Sequence, residues 1–285
     1  MGNLAWAIGD VRVTRVVEHE IPLALTGLLP EATPAALARH RRWLAPWFLN
    51  DDGTVTLSIH GLVVESAGRR ILVDSCVGGR KLPGFEALGD GRPFLDELAA
   101  AGFPPDSFDV VLCTHLHFDH VGWNTRREGG RFVPSFPNAR YLFARAEWEH
   151  WSRAPVDAYS VSLEEAVRPV IEAGQADLVE MDHVLTPEVR LEPSPGHTPG
   201  HVCVRIESRG ARALVTGDMT HHPVQWAETG WKMVADTDPE QAVATRRRLL
   251  AEDADRTLVI GTHYAPPCAG HVVRGPDGFE FRVRA

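Results

Sequence analysis

Short apolar runs recur along the chain, and several of them end at a histidine or an aspartate. Alternating apolar and polar positions predict half-buried strands, whereas an unbroken run such as that from Val110 to Cys113 predicts a fully buried one. The predicted strands cover residues 11–20, 55–65, 69–74, 110–113, 139–143, 178–180, 188–192, 201–207, 211–216 and 257–260.

Helical segments lie between these strands. The predicted helices cover residues 34–43, 93–101, a segment around Trp148 and Trp151, 160–173 and 238–253. Thr33 and Thr237 are the predicted N-caps of the first and last of these helices, because threonine accepts a backbone N–H there. A Gly/Pro-rich loop is predicted over 78–92, and a hairpin over 270–284.

Two strand-rich halves with helices on their flanks predict a layered α/β protein whose helices lie outside the sheets. We expect one domain over residues 1–285, a length that buries a sizeable core. The aromatic and Pro-rich segment 21–50 interrupts the strand pattern. It is expected to pack on the body of the domain, on a second copy in a homodimer, or along an apolar substrate pocket.

Composition excludes several classes of protein. Hydrophobic residues make up 44% and charged residues 24%, which is typical of a globular domain. A net charge of −9 argues against a general nucleic-acid binder. No apolar run approaches the roughly 20 residues of a membrane span, and no signal peptide is apparent. The four cysteines lack CxxC spacing and are expected to be buried thiols in a reducing cytoplasm.

The strongest chemical signal follows the strand that ends at Cys113. His115, His117, Asp119 and His120 occur within six positions there, a density that packing does not explain. Imidazole and carboxylate are the usual nitrogen and oxygen ligands of zinc and neighbouring metals. The stretch therefore predicts a metal site on a loop at a sheet edge.

Three later residues repeat this theme at other strand edges. His197 lies in SPGHTPGH, Asp218 in VTGD, and His263 in VIGTH. One such residue alone is usually structural, but three of them together with the histidine cluster favour a shared site. Seven ligands are too many for one tetrahedral zinc and suit two metal ions that share a bridging ligand.

These motifs, in this order, resemble those of the metallo-β-lactamase fold superfamily from about residue 11 to the C-terminus. The resemblance implies an αββα four-layer sandwich with the metal site at one edge of the two sheets. It implies two divalent metal ions, with zinc expected, and the following assignment: His115, His117 and His197 to the first ion, Asp119, His120 and His263 to the second, and Asp218 to both. His201 matches a position that commonly supports the ligands without binding metal.

Within the superfamily, the motifs favour a hydrolase. Flavo-diiron proteins usually carry glutamate where this chain has His117, and true zinc β-lactamases lack an aspartate equivalent to Asp218. Bacterial quorum-quenching lactonases and methyl parathion hydrolase-like enzymes remain, and GDMTHHPVQ resembles the latter more closely. Quorum-quenching lactonases usually carry a substrate-contacting tyrosine where this chain has His221, which weakens the prediction of an acyl-homoserine lactone substrate.

The predicted reaction is attack by a metal-bridging hydroxide on an N-acyl homoserine lactone, another apolar lactone or an ester. Phosphotriester or aryl ester hydrolysis is the alternative, and a non-catalytic metal-binding protein is the competing class. Asp119 is expected to relay a proton, and His221 to donate a hydrogen bond unless it is only a loop histidine. His222 is expected to be a loop histidine. Candidate pocket residues are Phe118, Trp123, Trp226 and Trp231, although aromatic residues more often belong to a core.

Overall fold

The computed structural model describes residues 3–80, 88, 93–155 and 159–283, and two seven-stranded sheets form its centre. In sheet order, the first sheet contains β1 (Ala5–Ile8), β2 (Val11–Leu23), β3 (Val55–Ser66), β4 (Arg69–Val73), β5 (Val110–Leu112), β8 (Arg140–Ala144) and β9 (Ala176–Val179). The second contains β10 (Val184–Thr186), β11 (Val189–Pro193), β12 (Val202–Ser208), β13 (Ala211–Val215), β14 (Leu258–Ile260), β15 (Ala269–Gly275) and β16 (Gly278–Arg282). A separate hairpin pairs β6 (Thr125–Glu128) with β7 (Arg131–Pro134).

Helices cover the outer faces of both sheets. The described helices are α1 (Pro34–Ala38), α2 (Arg41–Leu44), α3 (Phe94–Ala100), α4 (Phe118–Val121), α5 (Arg145–Trp151), α6 (Arg168–Glu172), α7 (Val224–Ala227) and α8 (Pro239–Asp253). A π-helical turn, Leu163–Val167, leads into α6. None of the helices in these ranges is long and apolar enough to cross a membrane.

Alternation along the strands creates three buried layers. In β3, Leu62 and Val64 face the second sheet, whereas Val63 between them faces the helices of the first sheet. A third buried cluster lies between the second sheet and its own helices. The helix–sheet–sheet–helix order confirms the predicted αββα sandwich.

Some element boundaries differ from those predicted. The helix predicted over 34–43 is divided into α1 and α2, although Thr33 caps it as expected, with Oγ1 accepting the Ala36 N–H at 3.2 Å. The predicted Thr237 cap is wrong, because Asp238 accepts the Gln241 N–H at 3.0 Å and α8 begins after it. The loop predicted over 78–92 falls largely outside the described residues.

The segment 21–50 packs on the body of the protein. Leu29, Leu44 and Phe48 are buried in the same cluster as Trp226 and Phe281. Its first residues remain in β2, so the segment passes from the first sheet across to the helices of the second.

The ends of the two sheets meet at one edge of the sandwich. The parallel pairs β4–β5 and β13–β14 both direct their carboxyl ends towards this edge. Two backbone hydrogen bonds join the sheets there: Val202 N–H to Thr114 O and Ser58 N–H to His263 O, both at 3.0 Å. The loops at this edge carry the predicted ligands.

Candidate metal centre

Each candidate ligand lies on a short loop held by a strand end. The loop after β5 carries His115 and His117, and α4 then places Asp119 and His120 in its single turn. Asp218 follows β13 through Gly217, whose φ of +51° is in the region that favours glycine. A Cβ at Gly217 would lie 2.5 Å from His201 Nε2, so the TGD sequence has a steric cause.

The Asp218 carboxylate lies between two groups of side chains. Its Oδ2 is 3.7 Å from His115 Nε2 and 3.4 Å from His197 Nε2. Its Oδ1 is 3.3 Å from His120 Nε2 and 3.0 Å from His263 Nε2. One oxygen therefore faces each group. The groups with converging ligand atoms are His115, His117, His197 and Asp218 in one, and Asp119, His120 and His263 in the other; a further set, Asp218, His221 and His263, overlaps both.

Hydrogen bonds at the outer ring nitrogens fix how three of the histidines are protonated. Nδ1 of His120 lies 2.9 Å from Asp74 Oδ2, that of His197 3.0 Å from Asp236 Oδ1, and that of His263 2.9 Å from Ser58 O. Because carboxylate and carbonyl oxygens only accept, each Nδ1 carries a proton and each Nε2 faces inwards. Burial lowers the pKa of His120 and His263, but the neighbouring Asp218 carboxylate outweighs it and raises both above the ordinary value. A metal ion would take the place of their Nε2 protons and leave these rings in the neutral form. Burial lowers the pKa of His197 to about 3, which favours that neutral form.

The inward-facing atoms fit a pair of cations. His197 Nε2 is 3.0 Å from His117 Nδ1, and His263 Nε2 is 3.3 Å from His120 Nε2. Two nitrogens bound to one tetrahedral zinc lie about 3.3 Å apart, given a bond of about 2.05 Å. Buried Asp218 Oδ1 and His115 Nε2 accept or donate no hydrogen bond among the described residues. Lone pairs and carboxylates that converge in this way need positive charge between them.

His201 supports Asp218 from behind. Its Nε2 accepts the Asp218 backbone N–H at 2.8 Å, so its Nδ1 carries the proton, 2.7 Å from Ser194 Oγ and 3.2 Å from Ser194 O. It does not belong to either converging group. The placement matches the supporting position expected from the sequence.

A cavity of about 280 Å³ opens above these residues. Its floor contains Asp119, Asp218 and His221, and its wall is largely apolar. The apolar lining residues are Ile21, Leu23, Leu28, Leu57, Ile59, Leu88, Phe118, Met233 and Ala235. A small apolar molecule with one polar, reactive end suits this arrangement.

A family comparison agrees with this geometry. The family model of the metallo-beta-lactamase superfamily matches residues 54–263, which include every candidate ligand. The chain belongs to the metallo-beta-lactamase superfamily. The predicted resemblance is thus confirmed at the level of the family.

Related proteins of the superfamily include N-acyl homoserine lactonases. The chain is 31% identical over 146 residues to one from Bacillus sp, covering 51% of this chain and 50% of that protein. It is 28% identical over 215 residues to one from Bacillus cereus, covering 70% and 78%. The chain thus spans about half the length of the first of these relatives.

Two solved structures share the whole fold. The dizinc quorum-quenching lactonase AidC, in complex with a product, superposes with a TM-score of 0.80 at 21% identity, covering 100% of this chain and 98% of that one. The hydrolase AbOPH of the beta-lactamase superfamily gives a TM-score of 0.79 at 23% identity with the same coverage. At these identities the likeness shows the superfamily fold alone.

Of the four aromatic residues predicted to line the pocket, one lines this cavity and the other three lie in other parts of the described structure. Phe118 lines the cavity as predicted. Trp226 is wrong as a pocket residue: it is fully buried, and its Nε1 donates to Tyr264 Oη at 2.9 Å. Trp123 is also wrong, because its Nε1 donates to Glu18 Oε1 at 2.6 Å and its ring lines a different cavity. Trp231 joins the buried cluster beneath the second sheet.

The two adjacent histidines have different surroundings. His221 lines the cavity, and its Nε2 is 3.1 Å from Asp218 Oδ2. Neither of its ring nitrogens makes a hydrogen bond with any described residue, although the side chain is only 3% exposed. His222 instead points away, with Nε2 donating to Phe48 O at 2.8 Å and Nδ1 accepting from Val224 N–H. His222 thus binds the segment 21–50 and its own loop and does not line the cavity.

Two carboxylates that support the site were missed in the sequence. Asp236 holds His197 from a loop with no recognisable motif. Glu147 lies on α5 and accepts backbone N–H groups from both ligand loops, at Gly200 and Leu116. A glutamate between Trp148 and Ala146 in a helical segment gives no local signal of this role. Asp74, by contrast, directly follows β4 and so lies at the same edge of the sheet as His120, whose Nδ1 it contacts at 2.9 Å.

Proposed function

We propose that this chain is a two-metal hydrolase that opens apolar lactones or cleaves related esters. The observation that carries the proposal is the placement of Asp218, whose two oxygens face separate histidine groups. The N-acyl homoserine lactonases among its relatives support a lactone as the substrate.

His115, His117 and His197 would hold one ion, Asp119, His120 and His263 the other, and Asp218 both. Zinc is the proposed metal because the donor set of imidazole nitrogens and carboxylate oxygens suits it. When bound, two such ions supply Lewis acidity towards a carbonyl oxygen and lower the pKa of water. Every donor in this set is on the chain itself.

Asp119 is the proposed proton carrier. It lines the cavity and is more exposed than the Asp218 carboxylate, with side-chain exposures of 16% and 4%. Its Oδ1 and Oδ2 lie 3.7 Å and 3.6 Å from His120 and His263 Nε2. From this position a carboxylate oxygen accepts the proton of the attacking water and returns it to the leaving alkoxide oxygen.

His221 is the proposed hydrogen-bond donor to the substrate. Its ring stacks on that of His263 with an interplanar angle of 12°, which fixes the orientation of its nitrogens over the cavity floor. A buried imidazole whose ring nitrogens make no hydrogen bond with the described residues gains one when the substrate carbonyl or leaving oxygen arrives. His221 thereby stabilises the negative charge that develops on that oxygen.

A second candidate is the hydrolysis of aryl esters or phosphotriesters. The observation in its favour is that His221 occupies the position where quorum-quenching lactonases usually carry tyrosine. The apolar wall also accommodates an aryl group. The nucleophile and the proton carrier would be the same, so the two candidates differ in the atom attacked, carbon or phosphorus, and in the leaving group.

The decisive experiment combines metal content with a substrate panel. We expect about two zinc ions per chain by mass spectrometry. The zinc-loaded chain should open N-hexanoyl homoserine lactone or an alkyl lactone faster than it cleaves paraoxon or 4-nitrophenyl butyrate. The matched variant Asp218→Ala should keep the circular dichroism spectrum and lose turnover. Two bound ions without turnover of any substrate would indicate a non-catalytic metal-binding protein.

A further inference from the structure

The wall of the cavity is largely hydrocarbon among the described residues. Apart from Tyr159, the polar lining side chains are the candidate ligands and His221, all on the floor. Ile21 and Leu57, which face one another across the β2–β3 ladder, form one side of the wall. Leu28 and Met233 form another. None of these four side chains donates a hydrogen bond.

Several backbone groups of this wall are also occupied. The Leu28 N–H donates to Leu25 O at 3.0 Å, and Leu28 O accepts the Val234 N–H at 3.0 Å. The Met233 N–H donates to Asp236 Oδ2 at 3.0 Å, and the Ala235 N–H donates to Met233 Sδ at 2.8 Å. In the described part of the wall, these groups are therefore not free for a ligand amide.

An amide that enters such a wall loses its hydrogen bonds to water without gaining others. A buried, unsatisfied donor or acceptor is costly, whereas a methylene pair of the same size gains from burial. Only a lactone whose substituent lacks such a donor or acceptor avoids this cost. A ring that carries a plain alkyl chain does, and an N-acyl homoserine lactone, with an amide next to its ring, does not.

We infer that the chain prefers lactones with a hydrocarbon substituent over N-acyl homoserine lactones. The inference rests on the proposed hydrolase function and specifies its substrate class. The floor binds and opens the lactone ring, and the wall selects the substituent. Selection follows from desolvation of the amide, because the four wall side chains give both substituents similar dispersion contacts.

A matched pair of substrates tests the inference. N-hexanoyl homoserine lactone and α-heptyl-γ-butyrolactone have the same ring and chain length, and differ in whether an amide or two methylenes join them. We expect kcat/KM, divided by the rate constant of hydroxide-catalysed opening, to be at least about tenfold higher for the alkyl lactone. An equal or higher value for the amide lactone overturns the inference and leaves the proposed function intact. Opening of neither lactone overturns both.

A pair of ketones separates binding from turnover. 2-Heptylcyclopentanone and N-(2-oxocyclopentyl)hexanamide keep the ring size and substituents but cannot be hydrolysed. Calorimetric titration of the full chain should give a Kd about tenfold lower for the alkyl ketone. Equal Kd values would overturn the inference whatever the activity of the zinc-loaded enzyme.

Variants show whether the wall causes the preference. Met233→Gln adds an amide to the wall and should reduce the alkyl preference at least about threefold, whereas Met233→Leu should keep it. The same preference in both variants would overturn the inference. Tyr159→Phe tests the polar side chain that lines the described part of the cavity above the floor. A selective loss of kcat/KM for the amide lactone in that variant would mean that the phenol binds the amide, which also overturns it.

Discussion

The Glu147 carboxylate accepts the backbone N–H of Gly200 at 2.8 Å and so ties α5 to the loop that carries His197. Its other oxygen accepts the Leu116 N–H at 3.3 Å, between His115 and His117, and the Trp151 Nε1–H at 2.7 Å. Glycine at position 200 permits this approach, since a Cβ there would lie 2.4 Å from the Glu147 backbone nitrogen. One buried carboxylate thus sets the spacing of two ligand loops.

Replacement of Glu147 should weaken zinc binding. In Glu147→Gln, one of the accepting oxygens becomes an NH₂ group that faces backbone N–H donors, and the two ligand loops should separate. We expect zinc affinity to fall about 10- to 100-fold, which is the usual effect of replacing a group that holds metal ligands in position. Competition with a chromophoric chelator measures this affinity. Glu149→Gln, at an exposed position on the same helix, is the control and should bind zinc like the wild type.

Removal of the metal should destabilise the fold. Without metal ions, the Asp119 and Asp218 carboxylates have only the protons of His120 and His263, whose pKa values they raise, to offset their charge. Ions that bind only the folded chain add about 4 kcal/mol to the free energy of unfolding at a thousandfold excess over Kd. We expect a chelator to lower the melting temperature by several degrees and added zinc to restore it. A melting temperature that neither the chelator nor the added zinc changes would contradict the metal centre.

Loss of the His221 imidazole should reduce turnover without loss of metal. Phenylalanine preserves the stacking on His263 but removes both nitrogens. We expect kcat of His221→Phe to fall roughly 100-fold, the usual effect of losing one preorganised donor. Metal content should stay at the wild-type value. If His221→Phe instead retains full kcat, His221 is only a loop histidine.

The sequence could predict which residues converge at the site because each one follows a strand that is recognisable on its own. Asp218 and His263 come directly after the apolar runs of β13 and β14, and parallel strands bring their carboxyl ends together. Local pattern and sheet geometry suffice for such residues. Asp236 and Glu147 contact His197 and Gly200, which are 39 and 53 positions away in the chain. No neighbouring residue in the sequence indicates these partners.

The substrate pocket was harder to predict for a related reason. Trp226 lies eight positions after Asp218, but the short helix α7 turns it towards Tyr264 in the core. The residues that do form the wall, such as Ile21 and Met233, are ordinary apolar positions in a strand and a loop. A residue close in sequence to a candidate ligand can therefore point away from the cavity, as Trp226 does. Side-chain direction depends on tertiary packing that the pattern does not contain.

A buried carboxyl group near the site should make stability depend on pH. Burial raises the pKa of Glu18 from 4.5 to about 7, although the N–H groups of Trp123 and Val77 donate to it and act in the opposite direction. Between these values the folded chain binds more protons than the unfolded chain, so stability falls as pH rises through this window and levels off above about pH 7. Glutamine at this position does not titrate.

The free energy of unfolding of the wild type minus that of Glu18→Gln should therefore fall by roughly 2–3 kcal/mol between pH 5 and pH 8. Urea denaturation of both proteins at matched zinc content measures this difference, and the other titrating groups cancel in it. Exposed Glu149→Gln should give a difference that does not change with pH. A constant difference for Glu18→Gln would mean that the carboxyl group titrates alike in the folded and unfolded chains, and a rising difference would mean that the hydrogen bonds from Val77 and Trp123 outweigh its burial.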